Sequence, residues 1–298
     1  MQVSFGDSAR LIGASACWGL GTVLSKAALV HFEPINLLVV QLSASVAAMT
    51  LVLALTGRRR SRPVAVWSIA GLGVLNPGLA YLLGLTGLTM TSASLATLIW
   101  ALEPAMIVVA ARLLLGEAVS GKIIGVAAVG FAGVALVAIG PLSGSLTGGL
   151  LILAGVACCA LYAAWTRRIV SSDSVLLVLV CQHATALGMA LIFATISGYR
   201  PLEALARAPW AATGSAIVSG VLYYGVAFFL FVGALRKVSA AVAGLFINLV
   251  PVFGIIAAYL MLNERLGPLE WLGAATVLAA MTILLLAGSR ETQHEVIA

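Results

Sequence analysis

The sequence predicts an all-α membrane protein, with ten transmembrane helices forming two inverted five-helix repeats around a central cavity. Composition is the first reason: of 298 residues, 62% are hydrophobic and 9% charged, with mean hydropathy +1.14, more apolar surface than a soluble domain of this size could hide. A duplication is the second. Ser92 to Glu117 (SASLATLIWALEPAMIVVAARLLLGE) recurs as Ser239 to Glu264 (SAAVAGLFINLVPVFGIIAAYLMLNE), identical at 11 of 26 positions. Ala and Leu coincide easily in so apolar a chain, but the pairs Ser92/Ser239, Pro104/Pro251 and Glu117/Glu264 do not. The third reason is the placement of basic residues, which sets orientation.

About 20 apolar residues cross the hydrocarbon core. Ten runs meet that length, at residues 10–30, 35–56, 64–87, 92–115, 120–140, 147–167, 174–197, 211–233, 238–262 and 268–288. The first lacks a basic leader and a small-residue cleavage site, so it is expected to stay as a helix and not be removed as a signal peptide. Along it Ser15, Trp18, Thr22 and Ser25 recur at helical spacing, a polar and aromatic stripe on one face. Spans three, eight and ten open with Trp67, Trp210 and Trp271, placed for the interfacial aromatic belt. Spans four and nine carry Pro104 and Pro251 near their middles. Proline there frees the carbonyl four residues earlier, on Trp100 or Ile247, which a membrane helix tolerates beside other helices or a water-filled cavity. Paired kinks of this kind are where a transporter sets its binding site. The connections are short except for residues 141–148 and the amphipathic 198–209. Cys17, Cys158, Cys159 and Cys181 fall inside spans as small core residues, without metal-ligand spacing or a disulfide framework.

With the N-terminus in the cytoplasm, twelve of the sixteen basic residues lie at inside ends: Arg10, Arg58, Arg59, Arg60, Arg62, Arg112, Lys122, Arg167, Arg168, Arg236, Lys237 and Arg290. Only Lys26, Arg200, Arg207 and Arg265 fall outside. The positive-inside rule therefore puts both termini in the cytoplasm. The formal charge of +6 reflects this bias, not a nucleic-acid surface. Five spans per half is an odd number, so the second half must enter the membrane upside down. The expected units are residues 1–145 and 146–290, one repeat each, and a cytoplasmic tail at 291–298. The same offset pairs Trp18 with Trp165, Gly73 with Gly220, Gly78 with Gly225 and Tyr81 with Phe228. Single cysteines placed at Arg60 and Ser145 in a cysteine-free background should react with an impermeant maleimide from opposite sides of the membrane. Labelling from the same side would overturn the inverted repeat.

These features together, with Trp18-Gly19 in the first span, Glu103-Pro104 in the fourth, and Gly116-Glu117 and Asn263-Glu264 closing the fourth and ninth, resemble the EamA branch of the drug/metabolite transporter superfamily over about residues 8–288. The resemblance implies a basket of spans one to four and six to nine around the cavity, with spans five and ten peripheral, in a bacterial inner membrane. The functional relatives it implies are amino-acid exporters, including aromatic exporters of the YddG type.

Candidate substrate-binding residues bring rings or polar groups to mid-span faces. They are Trp18 and Trp100, too deep for a belt, Tyr81, Tyr162, Tyr223, Tyr224, Asn76 and Asn248, together with Trp165, which joins them by its symmetry with Trp18 although Arg167 and Arg168 beside it also fit a belt. Small hydroxyl residues commonly glue membrane helices together, but that role does not account for bulky rings on the same faces. A ring-walled cavity with few polar groups suits a ligand with an apolar body and a small polar head. No Lys or Arg lies near a midplane, which counts against phosphate-bearing substrates. Glu103 is the one carboxylate near the middle of a span. It could carry a coupling proton or meet a cation, or it could close the gap made by Pro104; its symmetry mate, Val250, favours the structural role. His183, beside Gln182 in span seven, reads as a buried pair satisfied by neighbouring helices sooner than as a coupling site. Glu117 and Glu264, at helix ends near opposite faces, are structural or gating groups.

The function expected is secondary export of small metabolites, chiefly amino acids with aromatic or apolar side chains, by alternating access. A multidrug or cationic-metabolite exporter is the alternative. There is no glycine-rich phosphate loop with a lysine to bind ATP. An embedded enzyme needs a reacting constellation, and His31, His183 and His294 have no deep carboxylate beside them, so no catalytic site, metal or cofactor is expected. An assembly role would not require paired proline-broken helices. The partners expected are a small-molecule substrate and the lipid bilayer, with no nucleic acid; the oligomeric state is left open and is compatible with a monomer.

Overall fold

A computed structural model describes residues 4–56, 70–114, 120–140, 144–166, 175–235, 237–238, 243 and 246–297. The arginine cluster at 58–62, Trp67, Glu117, Arg167, Arg168 and Arg236 lie outside them. Among the described residues regular structure is helical, with one isolated β-bridge between Thr91 and Gly144. The helices are α1 (Phe5–Ala28), α2 (Pro34–Thr56), α3 (Ala80–Met90), α4 (Ala93–Trp100), α5 (Glu103–Leu114), α6 (Gly121–Ala138), α7 (Leu146–Thr166), α8 (Val175–Ile196), α9 (Pro201–Arg207), α10 (Trp210–Ser219), α11 (Ala227–Leu235), α12 (Leu249–Leu262) and α13 (Pro268–Ile297).

Among the described residues, seven stretches are long and apolar enough to cross a membrane: Pro34–Leu55, Gly71–Met90, Ala93–Ala110, Gly121–Ala138, Leu146–Ala163, Leu176–Ile196 and Trp210–Ala234. Leu249–Leu262 and Pro268–Leu284 are shorter apolar helices. At 24 residues α1 has the length of a span, but its hydroxyl stripe and Lys26 dilute its hydropathy.

The prolines act differently from the expected mid-helix kink. The fourth stretch is broken outright: α4 ends at Trp100, Ala101 and Leu102 turn, and α5 starts at Glu103. Pro104 thus lies in a first turn, where its missing N–H goes unmissed, and Pro251 occupies the first turn of α12 in the same way. The expected start of the third stretch near 64 lies outside the described residues, and from Gly71 the stretch is irregular: a 3-10 turn at Gly71–Val74 and a π segment at Leu75–Leu79, inside which Asn76 leaves helical space (φ −141°, ψ 115°). A second π segment, Gly220–Val226, separates α10 from α11. Irregularities of this kind often mark functional sites in helices.

Packing crosses between the halves. α1 lies against α10, α11 and α12, while α7 lies against α3, α4 and α5. α2 packs on α8, and α6 on α13. α6 and α13 run antiparallel, since added β-carbons at Gly130, Gly133 and Gly273 would meet Met281, Val277 and Val137 respectively. Gly73 sits directly on the backbone of Gln182, and Gly220 on that of Gln41. Small residues permit such backbone approach between membrane helices.

Candidate functional site

Where α3, α4 and the Gly220–Val226 segment converge on α1, four rings make one cluster. Tyr81 stacks on Trp100 (centroids 5.3 Å apart, planes at 28°) and meets the edges of Tyr223 (5.3 Å, 86°) and Tyr224 (5.0 Å, 74°). The irregular helices are what deliver them: the π segment presents the adjacent Tyr223 and Tyr224 to the same partner, and the chain turn after Trp100 leaves that ring at a helix end, packed over Gly84. The rings, with Thr22 and Ser25 of α1, enclose a cavity of about 20 Å³, room for one water-sized group. An open depression of about 270 Å³ lies elsewhere, among residues Leu29 to Pro34, Asn36, Thr89 and Ala204, away from the ring cluster.

Behind the rings the polar groups are joined in a directed order. Thr22 Oγ1 donates to the Trp18 carbonyl (3.0 Å) and Ser25 Oγ to that of Gly21 (2.7 Å). Gln41 Nε2 donates to Ser25 Oγ and to Ser219 Oγ, each at 2.8 Å, and Gln41 Oε1 accepts from the Tyr224 hydroxyl at 3.4 Å. Gln41 is fully buried and ties α1, α2 and the second half together. The sequence reading did not single it out, although a lone amide inside an apolar span was the available signal. Ser45 Oγ faces His183 Nδ1 at 3.4 Å, and His183 lies edge-on to Tyr224 and Phe228, so it is a buried, partnered group behind the cluster. Glu103 opens α5, and no side-chain hydrogen bond joins it to the described residues.

At one end of the bundle a glutamate bridges two helices. Asn263 takes a left-handed conformation (φ 55°) that ends α12, and Glu264 then reaches across to the start of α4. Its carboxylate accepts from Ala93 N (2.8 Å), Ser94 N (2.9 Å) and Ser94 Oγ (2.7 Å), while Ser92 Oγ caps Leu95 N (3.1 Å). A carboxylate at a helix N-terminus gains both the unpaired N–H groups and the helix dipole. Beside it Lys26 Nζ donates to the carbonyls of Leu88 and Thr91, both at 2.7 Å, within electrostatic reach of Glu264.

The remaining candidates are scattered. Trp18 meets the edges of Phe228 (5.4 Å) and Phe231 (5.3 Å) and is absent from the cavity lining. Trp165 is 48% exposed. Tyr162 donates to Gln182 Oε1 (3.1 Å), and Asn248 Nδ2 to Thr282 of α13 (3.2 Å). Asn76 is buried in the irregular third stretch, its Oδ1 without a partner among the described residues. The structure thus gathers Tyr81, Trp100, Tyr223 and Tyr224 and leaves the others outside the cluster.

The profile of the EamA-like transporter family matches residues 9–139 and, a second time, residues 146–286. The chain belongs to the EamA-like transporter family. It is therefore a multi-pass membrane transporter of the drug/metabolite superfamily. This EamA-like chain is also similar to a solved crystal structure, with 18% identity and a TM-score of 0.65 over 95% of its own length and 98% of the other's, a likeness of fold. No curated protein matches it.

Proposed function

We propose that this EamA-like transporter exports small amphiphilic metabolites, foremost amino acids with aromatic or apolar side chains, by alternating access. The observation that carries this reading is the cluster of Tyr81, Trp100, Tyr223 and Tyr224, drawn from both halves and capped on one side by the Glu264 contact. In the proposed architecture ten spans form two inverted repeats with both termini in the cytoplasm of a bacterial cell. The exchange-related packing of α1 and α7, and the antiparallel α6 and α13, support it. Rocking one half against the other would part Glu264 from α4 and open the ring cluster to one side at a time. The aromatic-exporter type named by the sequence fits the ring-walled site.

The test is counterflow of a panel of labelled amino acids in proteoliposomes. Tyr81 and Trp100 stack, and a well-placed ring contact contributes about 1 kcal/mol, so Trp100→Ala should weaken apparent affinity roughly fivefold, more for phenylalanine than for serine. Trp271→Ala, at an exposed helix start, should change yield and leave substrate preference alone. Equal shifts in preference from both variants would place the site elsewhere.

A further inference from the structure

The turn between α3 and α4 joins two helix ends of opposite polarity, and other parts of the chain supply a partner to each. The last carbonyls of a helix have no acceptor role left inside it, and those of α3 are served from outside or by the turn itself. Gly87 O accepts from Thr91 Oγ1 (3.1 Å), Met90 O from Ser145 N (2.8 Å), and Leu88 O, with Thr91 O beyond it, from Lys26 Nζ (each 2.7 Å). At the start of α4 the first N–H groups need acceptors in the same way. Ala93 N and Ser94 N donate to Glu264, and Leu95 N to Ser92 Oγ. A cation thus sits at the negative end of one helix and an anion at the positive end of the next. Both charges come from elements packed on each other: Lys26 lies in the last turn of α1, Glu264 just past the end of α12, and a β-carbon added at Gly19 would fall 2.7 Å from Gly254 N and from Val250 O. Arg265, next in sequence, lies over the ring of Tyr259 (5.6 Å).

We propose that Lys26 is a gating residue, which together with Glu264 latches the α3–α4 turn and so shuts the ring cluster off from this end of the bundle. The proposal rests on the reading of that cluster as the transported site. The turn is a wall of the site: Leu85 and Leu88 from the end of α3 and Ala96 from the start of α4 line the small cavity beside Tyr81 and Trp100. Moving the turn away from α1 and α12 uncovers the cavity, and the turn cannot move without leaving both charged groups behind. Each group holds a backbone dipole and not the other side chain. Among the described residues Lys26 and Glu264 make no direct salt bridge with one another. Carbonyl oxygens only accept and N–H groups only donate, so the helix end that each residue meets dictates the sign of its charge. A plain lysine–glutamate ion pair would have no such preference and would survive an exchange of the two residues.

A cysteine at Ala96 in a cysteine-free background, treated with an impermeant maleimide from either side of reconstituted membranes, reads the latch. Lys26→Met removes two charge-assisted bonds at a partly exposed site, so labelling from the side of Ser145 should be about fivefold faster, with no rise from the side of Arg60. Lys26→Arg still offers donors to both carbonyls and should stay within about twofold of the parent. The exchange of Lys26→Glu with Glu264→Lys sets a carboxylate against carbonyl oxygens and an ammonium against N–H groups, and should label at least as fast as Glu264→Gln. Parent-like labelling of Lys26→Met, a Lys26→Arg rate equal to it, labelling raised equally from both sides, or closure restored by the exchange overturns the proposal. Where the exchanged protein does not melt cooperatively, the contrast between Lys26→Met and Lys26→Arg decides. Counterflow of labelled phenylalanine tests the transport reading separately. Fast labelling of Lys26→Met with counterflow indifferent to Trp100→Ala sinks the substrate site and leaves the latch standing, whereas the converse removes the latch and keeps the site.

Discussion

Glu264→Gln should open the face of the protein that the native glutamate holds shut. The native carboxylate accepts three hydrogen bonds from Ala93 and Ser94, two of them from backbone N–H groups at the start of α4. The amide keeps one acceptor but turns an NH2 toward donors and removes the charge that the helix N-terminus favours. Bonds to charged groups contribute about 1.5–3 kcal/mol each when fully buried. The site is partly exposed, so the net loss is about 3 kcal/mol, on the order of a hundredfold in the ratio of closed to open forms. The readout is a cysteine at Ala96, a buried residue that lines the ring cavity. An impermeant maleimide added from the side of Ser145 should label it slowly in the native background and at least tenfold faster with Glu264→Gln. Unchanged labelling in folded protein would mean that Glu264 only caps a helix and that some other contact keeps this face closed.

Much of this arrangement was legible in the sequence, and what escaped did so for physical reasons. Composition and the Ser92/Ser239 duplication gave a helical membrane protein of two related halves, because length and hydropathy are bulk properties that packing does not alter. Tyr81 and Trp100 could be picked out by depth and spacing, since bulky rings on a polar face have no cheaper explanation. Trp18 had the same signature, and its ring turned out to meet Phe228 and Phe231: periodicity gives a face, but the neighbour on that face is decided by the other half of the chain. The breaks were placed at the prolines, whereas the helices divide two or three residues earlier, because Pro is comfortable in a first turn and the strain falls on the residues before it. Gln41 was missed because one amide in an apolar run has no meaning until Ser25, Ser219 and Tyr224 are brought around it. The reach of Glu264 depends on the left-handed turn at Asn263; the sequence hint was that the matching position in the first copy is Gly116, the other residue type that tolerates that conformation.

Gly220→Ala should cost far more than Gly225→Ala, although the two lie in one π segment. A β-carbon at Gly220 would fall 2.5 Å from the carbonyl oxygen of Gln41 and 2.6 Å from its Cα, and those are backbone atoms of a neighbouring span that no side-chain rotation can clear. At Gly225 the nearest atoms are Ser45 Oγ at 3.8 Å and Met49 Cγ at 4.0 Å, ordinary contact for a methyl group. Overpacking a fitted interface costs about 1–3 kcal/mol, and the upper end applies where the obstacle is backbone. The expected fall in melting temperature is roughly 5–10 °C for Gly220→Ala, and close to zero for Gly225→Ala. Gly73→Ala should behave like Gly220→Ala, because its β-carbon would come within 2.7 Å of the Gln182 carbonyl carbon in the matching crossing of the other half. The two crossings differ in what they disturb. Parting the Gly220 segment from α2 also draws the Gln41 amide away from Ser25, Ser219 and Tyr224 behind the ring cluster, so Gly220→Ala should weaken apparent substrate affinity beyond what its loss of stability explains, whereas Gly73→Ala should lose stability with less effect on affinity. Differential scanning fluorimetry and counterflow in proteoliposomes read the two effects separately. Equal melting of Gly220→Ala and native protein would show that the spans stand further apart than this packing requires.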